Sequence, residues 1–391
     1  MSRRNELKTE ILRRLLLYGK ATRPELVALT GRRAATVFET IDALKAEGIV
    51  GEPERRGKKT GRRAPELFCV PEYCCTIGVE LRVSGCCGVI INTAGEVLHH
   101  LEINSRTPNK NMPEARREIL ALLQRLREMS GDLWEKVRGI GFADPGLVDL
   151  DSKRSIRAVN IPGWENLATG EWLSKASGLP AMLWPEAMVK TRMEYLTRLP
   201  NAPRTLFHLG TDDGIGGGFI QDGKLFAGST GRGMEIGHVV VSPDGARCQC
   251  GNSGCLEAVS GIPAIEARVS EAYNGGVDLP FEPSEFTMEK FCASIYNCKG
   301  TRIIADEICR HIGSALAVAV ALLNPEVIVI SGVLAGLGEL LPDAVRRELE
   351  LKCFPDAVKE LKIELSKLQS SDTARGAAIM MRDTLLIGSA D

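Results

Sequence analysis

The chain is short of aromatic side chains, which make up 5% of its 391 residues, yet it holds forty glycines. That balance points to an α/β protein with many tight turns. Long apolar runs are missing too. The longest uncharged one, Ile312 to Leu323, falls well short of the ~20 residues of a membrane span. It excludes a spanning helix and predicts a buried one. No charged-then-apolar leader opens the sequence, since Met1 to Glu10 is polar and passes into an amphipathic pattern. A cytoplasmic protein with no membrane partner is expected. Strong net charge is also absent, at −1. With 44% hydrophobic and 25% charged residues, the composition is ordinary for a globular chain. The length suits two or three domains of about 100–200 residues, with cores large enough to need no disulfide staples.

The near-zero charge hides an asymmetry. Residues 1–65 hold 16 Lys/Arg and 8 Asp/Glu, and the remainder holds 33 and 42. A basic module on an acidic body suggests a polyanion-binding head joined to a body with another task. Of the twelve cysteines, nine are scattered, and three cluster at Cys248, Cys250 and Cys255. In a cytosolic chain such a cluster reads as a metal site before a disulfide. Cys74-Cys75 and Cys86-Cys87 read as small buried residues.

Leu7, Ile11, Leu12, Leu15 and Leu16 recur at helical spacing. Thr22-Arg-Pro-Glu25 has the form of a capping box with proline in the first turn. It opens a short helix with Leu26, Val27 and Leu29, which Gly31 ends. A third helix is predicted from about Arg33 to Glu47, burying Val37, Ile41 and Leu44. Two short helices around a glycine turn make a helix-turn-helix. Ile49-Val50 and Leu67 to Val70 read as strands flanking the basic run Glu54 to Arg63. The module over 1–70 is therefore expected to be a winged helix-turn-helix for double-stranded DNA. Arg32, Arg33, Ala35, Thr36 and Thr40 would face the major groove, and Arg62 and Arg63 a minor groove or phosphates.

Beyond it, strands are predicted at Cys75 to Ser84, Gly88 to Asn92 and Val97 to Ile103, then an amphipathic helix from Pro113 to Met129 and a strand from Val137 to Ala143. A second meander starts at Thr205, long helices follow Ser260 and Thr301, and Val327 to Ile330 reads as a buried strand. Two meander-plus-helix units predict a duplicated fold with a cleft between its halves. No role is assigned to Tyr273 to Gly300.

The stretches Asn160-Ile-Pro-Gly-Trp164, Gly214-Ile-Gly-Gly-Gly218, Glu235-Ile-Gly-His238, Cys248-Gln-Cys-Gly-Asn-Ser-Gly-Cys-Leu-Glu257 and Leu323-Asn-Pro-Glu326 resemble the ROK family of repressors and sugar kinases. The resemblance spans nearly the whole chain. It implies an N-terminal winged helix-turn-helix of the repressor branch. It also implies a two-lobed, actin-like (ribonuclease H-like) sugar kinase-type body. The lobes would cover 71–185 and 186–371, with a C-terminal helix, 372–391, packing back onto the first. The second lobe would carry the metal site and a dimerisation surface.

His238, Cys248, Cys250 and Cys255 offer one nitrogen and three sulfurs, a closed tetrahedral set for structural Zn²⁺. The resemblance also implies sugar ligands at Asn160, Glu235, His238 and Glu257, with further effector contacts at Glu186 and Gly214. Three departures from the family's kinase pattern follow. Its Asp-x-Gly-Gly-Thr phosphate turn is matched by Glu80-Leu-Arg-Val-Ser84, without the glycines that let backbone approach a phosphate. Its second phosphate loop is matched by Asp212-Asp213-Gly214-Ile215-Gly216, whose two carboxylates would repel phosphates. Its Asn-Asp catalytic pair is matched by Pro185-Glu186, whose longer side chain misplaces a base.

The expectation is a transcriptional regulator, a repressor of carbohydrate genes, with no kinase activity. It would form a homo-oligomer (dimer or tetramer) and respond to a sugar or sugar phosphate. Sequestration by a protein partner and residual kinase activity are the alternatives. Arg33 also stands where the repressor branch has a serine cap, which predicts a poorly capped recognition helix.

Overall fold

The computed structural model describes residues 3–53, 64–105 and 110–388. The N-terminal module begins with α1 (Arg3–Tyr18), β1 (Lys20–Thr22), α2 (Arg23–Thr30) and α3 (Ala34–Ala46), followed by β2 (Val50–Gly51) and β3 (Glu66–Cys69). The Thr22 capping box forms in both directions, and Gly31 ends α2 in the left-handed region. Arg33 caps α3 with no side-chain hydrogen bond, as its chemistry predicts. Beyond the two expected strands, β1 adds a third, and the sheet order is β1-β3-β2. Leu7, Ile11, Leu12, Leu15, Leu26 and Val37 are among its core residues. Leu29 instead lies exposed.

The rest of the chain repeats one plan twice. The first copy has β4 (Cys75–Arg82), β5 (Gly85–Asn92), β6 (Val97–Asn104), α4 (Met112–Ser130), β7 (Val137–Asp144), β8 (Leu147–Asp149), β9 (Arg154–Arg157), β10 (Glu165–Leu167), α5 (Thr169–Ser177), β11 (Ala181–Pro185) and α6 (Glu186–Leu196). Its main sheet runs β11-β7-β4-β5-β6. An antiparallel meander lies on one side of β4 and parallel strands on the other. Cys74, Cys75, Cys86 and Cys87 are all buried beside or within it.

The second copy has β12 (Thr205–Thr211), β13 (Ile215–Gln221), β14 (Lys224–Leu225), α7 (Leu256–Ser260), α8 (Ile262–Asn274), α9 (Met288–Ser294), α10 (Lys299–Leu323), β15 (Val327–Gly332), α11 (Leu340–Lys352), α12 (Pro355–Val358) and β16 (Lys362–Leu365). Its sheet, β14-β13-β12-β15-β16, has the same sense of pairing about its first strand. The apolar run at Ile312 lies in α10, most of it buried. The segment left without a role packs Phe281, Phe286 and Phe291 against this core, successive rings tilted with centroids 6.4 and 6.3 Å apart.

Two compact units result. One comprises Met1–Val189, Leu199–Asn201 and Ser370–Asp391, and the other Lys190–Arg198 and Ala202–Gln369. The last helix, α13 (Asp372–Ile387), lies directly on the first unit's sheet. A Cβ at Gly78 would stand 1.8 Å from the Ala374 carbonyl, and one at Gly141 2.0 Å from that of Ala377. Only glycine permits so close an approach. The far end of α13 places Ile387 in the core of the N-terminal module.

Candidate functional site

His238 ends a short 3-10 turn, Ile236–His238, and Cys255 immediately precedes α7. Between them the chain doubles back through bridges at Val240–Cys255 and Arg247–Ser253. Gly254 sits at φ 70°, where a Cβ would meet the Ser242 carbonyl at 1.5 Å. This folding brings one donor atom each from His238, Cys248, Cys250 and Cys255 within 4.8 Å of one another. The Cys248 sulfur is 3.7 Å from His238 Nδ1, and the Cys250 and Cys255 sulfurs are 3.6 Å apart. Thiolates at 2.3 Å from a tetrahedral Zn²⁺ would be about 3.8 Å apart, so spacing and donor chemistry both fit a metal ion. Burial pushes the Cys255 thiol up to about 12, and a cation held there would be needed to make a thiolate tenable.

The same fold gathers four expected effector residues in the second unit. Glu257 lies in the first turn of α7, and its Oε2 accepts the Ile215 N–H at 2.8 Å, next to Gly214. The Glu235–His238 turn presses on the same strand, since a Cβ at Gly237 would be 2.0 Å from the Ile215 carbonyl. Glu235 is exposed as a residue, yet desolvation by the protein around it raises its carboxyl. His238 opposes that rise and Glu257 adds to it. The result is a polar cluster of two carboxylates, an imidazole and backbone, suited to hydroxyl groups.

In the first unit, Glu186 begins α6, and Asn160 is half-buried in the turn that ends at Trp164. That turn hangs on Asp144, a residue the sequence analysis passed over. Asp144 is fully buried and accepts hydrogen bonds from the Trp164 indole N–H at 3.1 Å, the Gly146 N–H at 3.0 Å and the Ser155 hydroxyl. Burial dominates those stabilising donors and pushes its carboxyl up to about 6. The available signal was an acid closing an apolar strand just before Pro145-Gly146.

On the N-terminal module, Arg32, Arg33, Ala35 and Thr36 are exposed around the start of α3, as expected. Thr40 is a correction. It is 5% exposed, and its hydroxyl donates to the Thr36 carbonyl one turn back at 2.8 Å. It therefore belongs to the inner face of the helix. Phe38 and Glu39 are exposed there instead. Arg62 and Arg63 lie outside the described residues.

The model of the ROK family matches residues 76–384. The chain belongs to the ROK family. It is 26% identical over 385 residues to the xylose repressor of Caldicellulosiruptor bescii, covering 97% of this chain and 96% of that protein. It is also 26% identical over 315 residues to the glucokinase of Thermotoga maritima, covering 79% of this chain and 98% of that enzyme. Among solved structures, a ROK family transcriptional regulator described as a homologue of the E. coli MLC protein aligns with a TM-score of 0.82 and 23% identity. That alignment covers 99% of this chain and 98% of that one. The ROK family thus contributes both regulators and kinases to this chain's relatives.

At the turn after β4, matched by resemblance to the phosphate glycines of the family's kinases, this chain places a cation. Arg82 closes β4, and its guanidinium donates to buried Glu80 and to the Ser370 carbonyl, with Glu102 3.7 Å away. Cys87, His100 and Glu102 also come within 4.8 Å of one another, but the Arg82 charge already sits against that group. The second phosphate position differs in part from expectation. Asp212 is paired with Lys190 at 2.6 Å, so its charge is offset, while Asp213 stands exposed.

Proposed function

We propose that this ROK protein is a sequence-specific transcriptional regulator, a repressor of carbohydrate genes, released from operator DNA by a sugar or sugar phosphate. The observation that carries the reading is the exposed start of α3 in a module of net positive charge, joined to a ROK body. In this reading residues 1–70 form a winged helix-turn-helix. Its α3 enters the major groove, and its basic residues hold phosphates and make binding salt-dependent. A homodimer presents two heads to a pseudo-palindromic site. It works in the cytoplasm, where the operator DNA is.

His238, Cys248, Cys250 and Cys255 would hold a structural Zn²⁺, which cross-links the loop and leaves no open position for a catalytic water. Bound through Nδ1, His238 keeps Nε2 for a hydroxyl. Glu235 and Glu257, with Asn160 and Glu186, complete the effector contacts. The effector acts by binding one state of the protein more tightly than the other. Kinase turnover is not part of this reading: Arg82 stands in the turn matched by resemblance to the first phosphate loop, bonded to Glu80 and the Ser370 carbonyl, and Glu186 stands at the position matched to the shorter base.

Fluorescence anisotropy with duplexes from upstream of the protein's own gene tests it. Tight, salt-sensitive preference over a scrambled duplex, reversed by one member of a sugar and sugar phosphate panel, is the expected result. ATP-dependent turnover of a common hexose near ~1 s⁻¹, with no duplex preference, would turn the reading over to a kinase.

A further inference from the structure

Among the described residues, the outward stripe of α3 carries an acid with no partner, whereas the other described acids from α2 to β3 are paired. Val37, Thr40, Ile41 and Leu44 are buried. Ala35, Glu39, Asp42 and Ala46 are exposed on the opposite side at helical spacing. Asp42 is held by Arg23 at 2.7 Å, Glu47 by Lys8 at 2.6 Å and Glu66 by Lys20 at 2.7 Å. Glu52 is held by Lys45, and Glu25 closes the Thr22 capping box. Among the described acids from α2 to β3, Glu39 alone makes no ion pair or hydrogen bond.

A bare carboxylate on the face of a basic head is repelled by phosphates, so it weakens DNA binding unless it meets a donor. In the major groove the complementary donor for a carboxylate is the cytosine N4 amino group. Ala35, one turn earlier on the same stripe, offers a methyl group of the kind that contacts the thymine methyl.

We infer that Glu39 is a specificity-determining residue that accepts a hydrogen bond from a cytosine amino group in each half-site, beside a thymine facing Ala35. The inference rests on the regulator reading above. It adds the base that α3 selects and the side chain that selects it.

The test uses the full chain and a duplex library randomised over the half-site, followed by anisotropy on single-base variants of the selected duplex. Wild type is expected to select a C·G pair whose replacement by T·A weakens binding about tenfold. Glu39→Gln is expected to move the preference at that one position to A·T, since glutamine pairs with adenine N6 and N7. Preferences elsewhere stay unchanged. Glu39 is exposed, so an unchanged melting temperature accompanies the swap. A uniform gain of affinity on every duplex, or an unchanged preference at every position, overturns the role of Glu39 and leaves the regulator reading standing. A wild-type protein that selects no sequence overturns both.

Discussion

Two turns carry the expected effector contacts, and they are fastened by different chemistry. In the first unit the turn from Asn160 to Trp164 hangs on one buried carboxylate, Asp144, surrounded by neutral donors. In the second unit the segment from Glu235 to Glu257 gathers one imidazole and three sulfurs within 4.8 Å of one another, the set proposed to hold a metal ion. A carboxylate taken out of water without a counter-charge keeps a penalty on its charged form, so the first fastener answers to pH. A soft, closed donor set answers to chelation. The two turns expected to contact the effector are thus fastened by chemistry that answers to different conditions.

The largest effect is expected at the second fastener. Structural zinc in small modules is worth about 10 kcal/mol or more, so Cys255→Ser should abolish zinc content and cost several kcal/mol of stability. Metal analysis beside thermal unfolding reads both. A fully metal-free wild type with the melting temperature of the untreated protein would falsify the contrast. At the first fastener, Asp144→Ala leaves the Trp164 N–H and the Ser155 hydroxyl without their buried acceptor. An expected loss of about 3 kcal/mol in urea unfolding, with zinc content unchanged, separates the two.

The pH response sharpens the comparison. Asp144 titrates near 6 in the fold against an ordinary 3.8. Its contribution is full below 3.8 and is lost as pH rises through about 6, by up to about 3 kcal/mol. His208 is the mirror case in the second unit. It lies between Thr191 Oγ1 at 3.2 Å and Ser331 Oγ at 2.8 Å. Burial, with Lys190 adding to it, lowers the imidazole from 6.5 to about 3. Its contribution is full above 6.5 and is lost as pH falls toward 3. The two slopes oppose each other between pH 4 and 6. Asp144→Asn should expose the rising slope and His208→Gln the falling one, both followed in zinc-saturated protein. Parallel profiles for the two variants would contradict the assignment.

The smallest effects concern the two helices of the head. Thr22 caps α2 with its side chain, and the start of α3 has no side-chain cap. Thr22→Ala should cost about 1 kcal/mol, and Arg33→Ser should gain up to about that much while weakening DNA binding. A stability change of the same sign in both variants would break that contrast.

The elements of the head, the first meander and α4 were legible in the sequence because local signals mark their ends, whereas β8 to β11, α5, α6, α11, α12 and β16 were not predicted. Asn111 and Glu114 make a reciprocal box at the start of α4, and glycines at 31 and 48 take the left-handed conformation beyond α2 and α3. The metal cluster was legible because its thiols fall in one short loop and His238 lies ten residues before the first of them. Thr40 was misplaced because helical spacing locates the buried stripe only to within a residue or so at its edges. Its hydroxyl suits groove and helix interior alike, and the back-bond to Thr36 removed it from the surface. Asp144 was missed because its partners lie 11 and 20 residues away, beyond any local pattern.

Sequence alone determined the charge division between head and body, the helix caps, and the four donors of the metal cluster. Each is a property of residue type at short spacing. Tertiary structure alone decided which charges are bare and which are matched. It paired Asp212 with Lys190, set Arg82 against Glu80, and left Glu39 open. Ion pairs form across the distances that folding closes, and those distances are absent from the order of the residues.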